Sequence, residues 1–286
     1  MNRRIAVTGG SGATGRTTVA HLMERGYDVV NLDRVDKTDA TFVEIDLADY
    51  ATVAAALDGA DAVVHLGSNP RPDSDAAEGA VRFATNTAVT FNVFWAAGHL
   101  GIPRVVWASS QQVFGWPWRE ISPAYLPLDE KHPQHPQNGY AMSKVACEHL
   151  AGHLSQRFGT AFIGLRLSNV HLTDPSHDAS YDKLPAVWAD LGQRRPNLWG
   201  YIDARDAARA VELALEVDVS GAHAVTIAAA DTLTPTPNRE LIERFYPDVS
   251  LRAGTGPNQT LHGIDDARRL LGWQPEVSWR DVLGYR

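Results

Sequence analysis

Two periodicities alternate along the first 170 residues of the chain. Short apolar runs at 4–7, Asp28–Asp33, 41–45, 62–66, 104–108 and Ala161–Leu167 have the length and composition of buried strands. Between them, apolar residues recur at helical spacing. Val19, Leu22 and Met23 share one face after the first run, and 51–57 reads as a short helix. The stretch 74–100 reads as a long helix with Val81, Ala84, Ala88, Phe91 and Trp95 in register, a stripe expected to be core or subunit contact rather than ligand contact. Gly139–Phe158 is a further helix, with Val145, Leu150 and Leu154 apolar. Strands alternating with helices predict an α/β fold with a doubly wound parallel sheet. Beyond Asn169 the alternation weakens into loop and helix at 174–196, a helix at 204–217, a strand at Ala222–Ile227 and helices at Asn238–Phe245 and 264–271. The segment 111–138, rich in Pro, Trp and His, has no period, and irregular stretches of that length inside compact domains are usually functional.

The turn after the first run organises the rest. Val7-Thr8-Gly9-Gly10-Ser11-Gly12-Ala13-Thr14-Gly15 leaves a strand and opens a helix with the spacing G-x-x-G-x-x-G. Gly9 lets the chain turn out of the strand, Gly12 lets the backbone approach a pyrophosphate, and Gly15 lets the helix pack closely. The helix N-terminus then directs its amide N–H groups and positive dipole end at phosphate. The second strand ends in Asp33, about 20 residues after the glycines, where a carboxylate can hydrogen-bond a ribose. Arg34 follows it, and an arginine there can instead accept a 2′-phosphate. The pattern predicts a Rossmann-type dinucleotide-binding domain over 1–170 that carries the catalytic residues. A smaller, mixed substrate-binding lobe over 171–286 returns some segments to the sheet.

Composition narrows the field. A net charge of −8 disfavours non-specific binding to nucleic acid or anionic membrane. One cysteine, Cys147, cannot form an intramolecular disulfide and suits a reducing compartment. The first strand begins almost at residue 1, which leaves no room for a signal peptide, and no apolar run reaches the roughly 20 residues that span a bilayer. A cytoplasmic protein is expected. His132 with His135, and His149 with His153, have ligand-like spacings, but no carboxylate or cysteine completes a metal site, so none is predicted.

A second constellation lies further along. Tyr140-Ala141-Met142-Ser143-Lys144 places a phenol and an ammonium one helical turn apart. A neighbouring ammonium favours the phenolate, and a phenol so tuned can exchange a proton with a substrate hydroxyl while a hydride moves. Ser109-Ser110 follows the fifth strand at the carboxyl edge of the sheet, where ligands bind in open α/β folds.

Together these pieces resemble the extended short-chain dehydrogenase/reductase superfamily, in its NAD-dependent epimerase/dehydratase branch, over nearly the whole chain. Thr8 to Gly15 matches T-G-x-x-G-x-x-G, and Asp46-Leu47 matches the D-L pair beside the adenine. His65-Leu66-Gly67-Ser68 resembles H-L-A-A, and Asn86-Thr87-Ala88-Val89-Thr90-Phe91-Asn92 is similar to N-x-x-G-T-x-N with Val89 in place of Gly. Ser109 to Gly115 looks like S-S-x-x-V-Y-G with Phe114 in place of Tyr, and Tyr140 with Lys144 fits Y-x-x-x-K. Leu270-Leu271-Gly272-Trp273-Gln274-Pro275 resembles the C-terminal L-G-W-x-P segment.

The resemblance implies Tyr140 as acid/base, Lys144 binding the nicotinamide ribose and lowering the Tyr140 pKa, and Ser110, rather than Ser109, hydrogen-bonding the reacting oxygen. It implies a cofactor set of Gly9, Ser11, Gly12, Ala13, Gly15, Asp33, Arg34, Asp46, Leu47, Leu66, Gly67, Ser68 and Asn86, with Tyr140 and Lys144. Asp33 favours NAD over NADP. Pairing of helices 75–100 and 139–158 across a homodimer is expected.

Departures from the pattern narrow the substrate. Family dehydratases carry Asp-Glu after the catalytic Ser/Thr, whereas Gln111 and Gln112 stand here, and neutral amides cannot serve as that acid and base. Trp199 stands where nucleotide-sugar enzymes have an Arg that grips a diphosphate; Arg194-Arg195 could compensate for it, but two adjacent arginines more often form solvated surface. The chain looks closer to small-sugar dehydrogenases such as uronate dehydrogenases. The leading expectation is hydride transfer at a hydroxyl-bearing carbon of a sugar or sugar acid. The alternatives are a UDP-sugar 4-epimerase with tightly held NAD and a non-catalytic dinucleotide sensor.

Overall fold

A computed structural model describes residues 3–71, 73 and 75–285 of the chain. Its strands are β1 (Arg4–Thr8), β2 (Asp28–Asp33), β3 (Thr41–Glu44), β4 (Ala62–His65), β5 (Arg104–Ser110), β6 (Tyr125–Leu126), β7 (Ala161–Leu167), β8 (Val170–His171), β9 (Ile202–Asp203), β10 (Ala222–Ile227) and β11 (Ser250–Leu251). Its α-helices are α1 (Ala13–Glu24), α2 (Tyr50–Leu57), α3 (Ala76–His99), α4 (Gly139–Phe158), α5 (Leu184–Trp188), α6 (Ala204–Glu216), α7 (Asn238–Phe245), α8 (Asp265–Leu271) and α9 (Trp279–Val282).

Seven strands form one sheet in the order β10-β7-β5-β4-β1-β2-β3. β1 runs parallel to both β2 and β4, with Val7 opposite Asn31 and Thr8 opposite His65. The chain builds outward from β1 through β2 to β3, then returns to place β4 on the other side of β1. This reversal is the switch point at which open α/β sheets bind ligands, and the fold is a Rossmann fold. β4 is buried along its whole length, as expected of a parallel strand covered on both faces. Short polar residues start the helices. Asp49 accepts from the Ala51 amide at 3.0 Å, Asp75 from Glu78 at 2.9 Å and Asn138 from Ala141 at 2.7 Å.

By contacts the chain divides into two compact units, and each is built from three segments. The first holds Met1–Ser109, Asn138–Leu165 and Ala208–Ala224, and the second holds Ser110–Gln137, Arg166–Ala207 and Val225–Arg286. In the first, Val30, Val53, Val63, Val105 and Phe162 share a core with Phe94 and Trp107, whose rings meet edge to face at 5.4 Å. Gly164 makes room for that indole, since a Cβ there would lie 3.0 Å from Trp107. α3 and α4 pack against each other so closely that a Cβ on Gly139 would run into the Gly79 carbonyl oxygen.

In the second unit, Tyr181 donates to Asp203 at 2.9 Å and Tyr201 to Asp231 at 2.6 Å around the buried Trp279. The Leu271-Gly272-Trp273 segment anchors there. The buried Trp273 indole donates to the Asp206 carbonyl oxygen at 3.0 Å, and the Asp206 carboxylate accepts from the Glu276 and Val277 amides.

Most expected elements occur within a residue or two of their predicted bounds. The short α9 carries too little periodicity to predict, and Ser74, expected to open the long helix, lies outside the described residues. Two readings need correction. Met23 is exposed while Val19 and Leu22 are buried. Of the α3 stripe, Trp95 packs against the core, whereas Val81 is 65% and Phe91 40% exposed, which leaves only the subunit-contact half of the expectation open for them. The helix buries its other face instead, through Asn86, Val89, Val93, Phe94 and Ala97.

Candidate active site

Glycine at position 9 is required twice over. Its φ is +73°, and a Cβ would lie 2.6 Å from the Gly67 amide nitrogen at the end of β4. Gly15 is buried against the same turn, where a Cβ would strike the Gly9 carbonyl oxygen and the Gly10 backbone. Its close contact is therefore with the turn itself. Gly12 differs from both. It precedes α1 with φ −69°, and an added Cβ would meet only the Gly9 carbonyl oxygen, at 3.3 Å.

A cavity of about 350 Å³ in the first unit opens beside this turn. Of the expected cofactor residues, Gly9, Gly12, Asp33, Arg34, Leu47, Leu66, Gly67, Ser68 and Asn86 line it. Ser11, Ala13, Gly15, Asp46, Tyr140 and Lys144 stand outside that lining. The Ser11 hydroxyl donates to the Val35 carbonyl at 2.5 Å, and its amide donates to Asp33 Oδ2 at 3.0 Å. Asp33 is thereby fixed, with Oδ1 accepting from the Arg34 amide at 2.7 Å. The exposed Arg34 guanidinium turns to Asp46 at 3.1 Å. The Ala48 amide and Arg34 both hold the Asp46 carboxyl below its ordinary pKa.

Five lining residues were not expected from the sequence: Leu32, Ile45, Asn69, Thr85 and Val89. Asn69 was legible only through its partner. Asn86 accepts from the Asn69 amide at 3.0 Å and donates to its carbonyl at 3.1 Å, pinning the loop after β4. Asn92, in the same helical motif, donates to the Leu47 carbonyl at 2.9 Å and so fixes the turn after β3.

Tyr140 and Lys144 are both buried on α4. The helix start is held by Asn138 and by Asp73, whose carboxylate accepts from the Gly139 amide at 2.5 Å. Lys144 Nζ donates to the Ala108 carbonyl at 2.8 Å and to Ser68 Oγ at 2.9 Å, and it lies 5.5 Å from the Tyr140 ring centroid. Burial lowers its pKa to about 8. Ser109 donates to Glu148 at 2.7 Å. Ser110 ends β5 and begins the second unit, and its Oγ accepts from the Gln112 amide at 3.2 Å. His65 is buried between Thr8 Oγ1, 2.7 Å from Nδ1, and Thr90 Oγ1, 3.1 Å from Nε2. Burial, then the Lys144 charge, lowers its pKa to about 3, so it stays neutral in use.

In the second unit the Gln111 amide accepts from Ser168 Oγ at 3.0 Å. Trp199 is buried and packs on Phe245 at 5.4 Å, with its indole N–H on the Leu191 carbonyl. Arg194 and Arg195 are half-buried rather than solvated, which corrects the surface reading. Arg195 covers the Tyr246 ring at 5.0 Å. The Arg194 side chain makes no hydrogen bond or ion pair among the described residues, and desolvation lowers its pKa. A larger cavity in this unit, about 640 Å³, is lined by charges that pair with one another, Arg252–Asp129, Arg268–Asp265 and Arg269–Asp266, and by none of the expected catalytic residues. Among the described residues no three His, Cys, Asp or Glu side chains group as metal ligands. His132 is committed locally, with Nε2 accepting from the Ala124 amide at 2.9 Å. No helix is long and apolar enough to cross a membrane among the described residues.

Residues 5–228 match the sequence pattern of the NAD dependent epimerase/dehydratase family. The chain belongs to that family. The UDP-glucose 4-epimerase of Lacticaseibacillus casei is 25% identical over 98% of this chain and 94% of its own. The L-arabinose 1-dehydrogenase (NAD(P)(+)) of Haloferax volcanii is 34% identical over 57% of this chain and 66% of its own. A solved structure of a mutated uronate dehydrogenase shares the fold, with a TM-score of 0.70 and 22% identity, over 100% of this chain and 87% of that one. This epimerase/dehydratase-family chain is thus an NAD-dependent enzyme.

Its turn fits the cofactor. Gly12 is the glycine that the protein's own packing requires least, and it lines the cavity beside the start of α1, where a pyrophosphate would meet amide N–H groups. Gly9→Ala should therefore cost stability without NAD, by roughly 1–3 kcal/mol. Gly12→Ala should leave thermal unfolding of the NAD-free protein within about 1 kcal/mol and weaken NAD binding at least about tenfold by calorimetric titration. Wild-type NAD affinity in Gly12→Ala would remove the pyrophosphate role.

Proposed function

We propose that the protein is an NAD-dependent dehydrogenase that oxidises a hydroxyl-bearing carbon of a free sugar acid. The observation that carries the hydride-transfer reading is the buried Lys144 ammonium, held by the Ala108 carbonyl and Ser68 Oγ and lying 5.5 Å from the Tyr140 ring centroid. NAD, when bound, accepts the hydride. Tyr140 removes the proton from the substrate hydroxyl, and the positive charge of Lys144 favours the phenolate that does so. Lys144 also holds the nicotinamide ribose. Ser110 hydrogen-bonds the reacting oxygen, and its place at the end of β5 fixes that hydroxyl on a rigid element.

Arg194 supports an acidic substrate. A half-buried guanidinium without a carboxylate is costly, and a substrate carboxylate offers it a charge-assisted, bidentate partner. The buried indole of Trp199, where a diphosphate-gripping arginine would be needed, weighs against the UDP-sugar epimerase reading. The neutral Gln111 and Gln112 weigh against dehydration. A pure NAD sensor would have no use for a tuned phenol.

The exposed α3 stripe, together with Met142 at 48% exposure on α4, supports a homodimer through these helices. The single buried cysteine supports a cytoplasmic setting.

A screen of free sugars, sugar acids and UDP-sugars, read by NADH absorbance, tests the reading. Net NADH on a sugar acid is expected, and interconversion of UDP-sugars without net NADH would replace it with the epimerase.

Tyr140→Phe should keep the fold and NAD affinity and lose about 10²–10⁴-fold in turnover. Wild-type turnover in that variant would remove Tyr140 as acid/base. In the wild type, oxidation should quicken with pH along the acid limb as Tyr140 gives up its proton.

Arg194→Met should raise KM for the sugar acid at least about tenfold while kcat stays within about threefold. An unchanged KM would exclude the carboxylate contact.

Light scattering at micromolar concentration should give a dimer mass, and Phe91→Asp should give a monomer. A monomeric wild type would overturn the pairing.

A further inference from the structure

Lys144 is a cation with little of its own around it. Its Nζ is bonded to a carbonyl and a hydroxyl, neither of them charged. Burial lowers its pKa to about 8 even against the neighbouring groups that oppose the fall, so any loss of that opposition brings deprotonation closer to neutrality. The groups that face it come from two strands and its own helix. His65, on β4, is neutral. Trp107, on β5, turns its ring toward Nζ at 5.9 Å. Tyr140 and Cys147 share α4, and the Cys147 thiol is pushed up by burial, so it stays protonated and contributes no charge near neutrality.

Glu148 remains. It follows Lys144 by one helical turn, and its Oε1 is anchored 2.7 Å from Ser109 Oγ, one residue beyond the carbonyl that Lys144 uses. The serine is buried on β5, so the carboxylate is tied to the same strand end as the ammonium. Cation and anion thus sit one helical turn apart on α4, each bonded to one of two adjacent residues of β5.

We propose that Glu148, anchored by Ser109, is a positioning residue that keeps Lys144 charged to a higher pH than its burial alone would allow. The proposal rests on the reading of Lys144 as the residue that holds the nicotinamide ribose and tunes Tyr140. It gives Ser109 a role separate from that of Ser110: one serine faces the chemistry and the other fixes the counter-charge. Glu148 acts through Lys144 and touches neither substrate nor cofactor.

The test is a direct titration of Lys144 in the NAD-free protein, by NMR of lysine labelled with carbon-13 at Cε, with Lys144→Met used to assign the resonance. In Glu148→Gln the midpoint should fall by about half a pH unit or more, and in Ser109→Ala it should fall less, in the same direction. Calorimetric NAD affinity should follow. At pH 7 Glu148→Gln should bind within about threefold of wild type. At pH 9 it should bind at least about threefold more weakly, a loss that a packing role would not make pH-dependent. A midpoint unmoved in both variants overturns the proposal. A midpoint that falls, with wild-type NAD affinity independent of pH, leaves Glu148 in its role and removes Lys144 from the cofactor instead.

Discussion

The approach of Gly9 to Gly67 is the constraint on which the cavity in the first unit depends. β1 and β4 are neighbours in the sheet, and their ends meet with the Gly67 amide where a Gly9 Cβ would have to be. Gly15 then lies over the Gly9 carbonyl, which fixes where α1 begins. The cavity follows from that geometry. With the turn drawn down onto β4 and α1 drawn down onto the turn, Gly12, Asp33 and the loop after β4 line one hollow. Any side chain at Gly9 would have to push β1 and β4 apart at their ends, so the cavity's shape is set by main chain more than by side-chain choice.

The same economy governs α4. A lysine can be buried there because the edge of β5 offers a carbonyl and the loop after β4 offers a hydroxyl. Those acceptors are placed by other contacts: Asn86 pins the loop just after Ser68, and Asp73 with Asn138 sets the start of the helix. His65, bonded to a threonine on each side, reaches from β1 to α3 through a neutral ring. Lys144 itself thus rests on neutral acceptors, a main-chain carbonyl and a hydroxyl.

How much of this is legible in the chain depends on the kind of signal each element leaves. The sheet is legible because its strands are continuous apolar runs, and the turn because glycine at fixed spacing has few other uses. Nine of the expected cofactor residues line the cavity, whereas Asn69 leaves no mark except its pairing with Asn86. The α3 stripe resembles core in sequence because that helix has two apolar faces. Period alone cannot say whether Val81 and Phe91, or Val89 and Val93, turn inward. Arg194 misleads for a related reason: adjacent arginines look solvated until the segment around them folds over one of them. Residues that act through another residue, such as Asn92 on the turn after β3, are visible in sequence only as members of a motif.

The interleaving of the two units has a topological consequence. The chain passes from one unit to the other at residues 109–110, 137–138, 165–166, 207–208 and 224–225. No single cut therefore releases either unit whole. A protease that nicks one crossing leaves two fragments, and both hold pieces of at least one shared unit. The nicked protein should stay together as a non-covalent pair for as long as that unit stays folded. By the same token neither unit can be made alone by shortening the gene, because Ala208–Ala224, which supplies most of α6 and the start of β10, completes the first unit only after about half of the second has been made. Synthesis from the N-terminus leaves β7 without its edge partner until β10 has been made, with the last segment of the second unit still to follow.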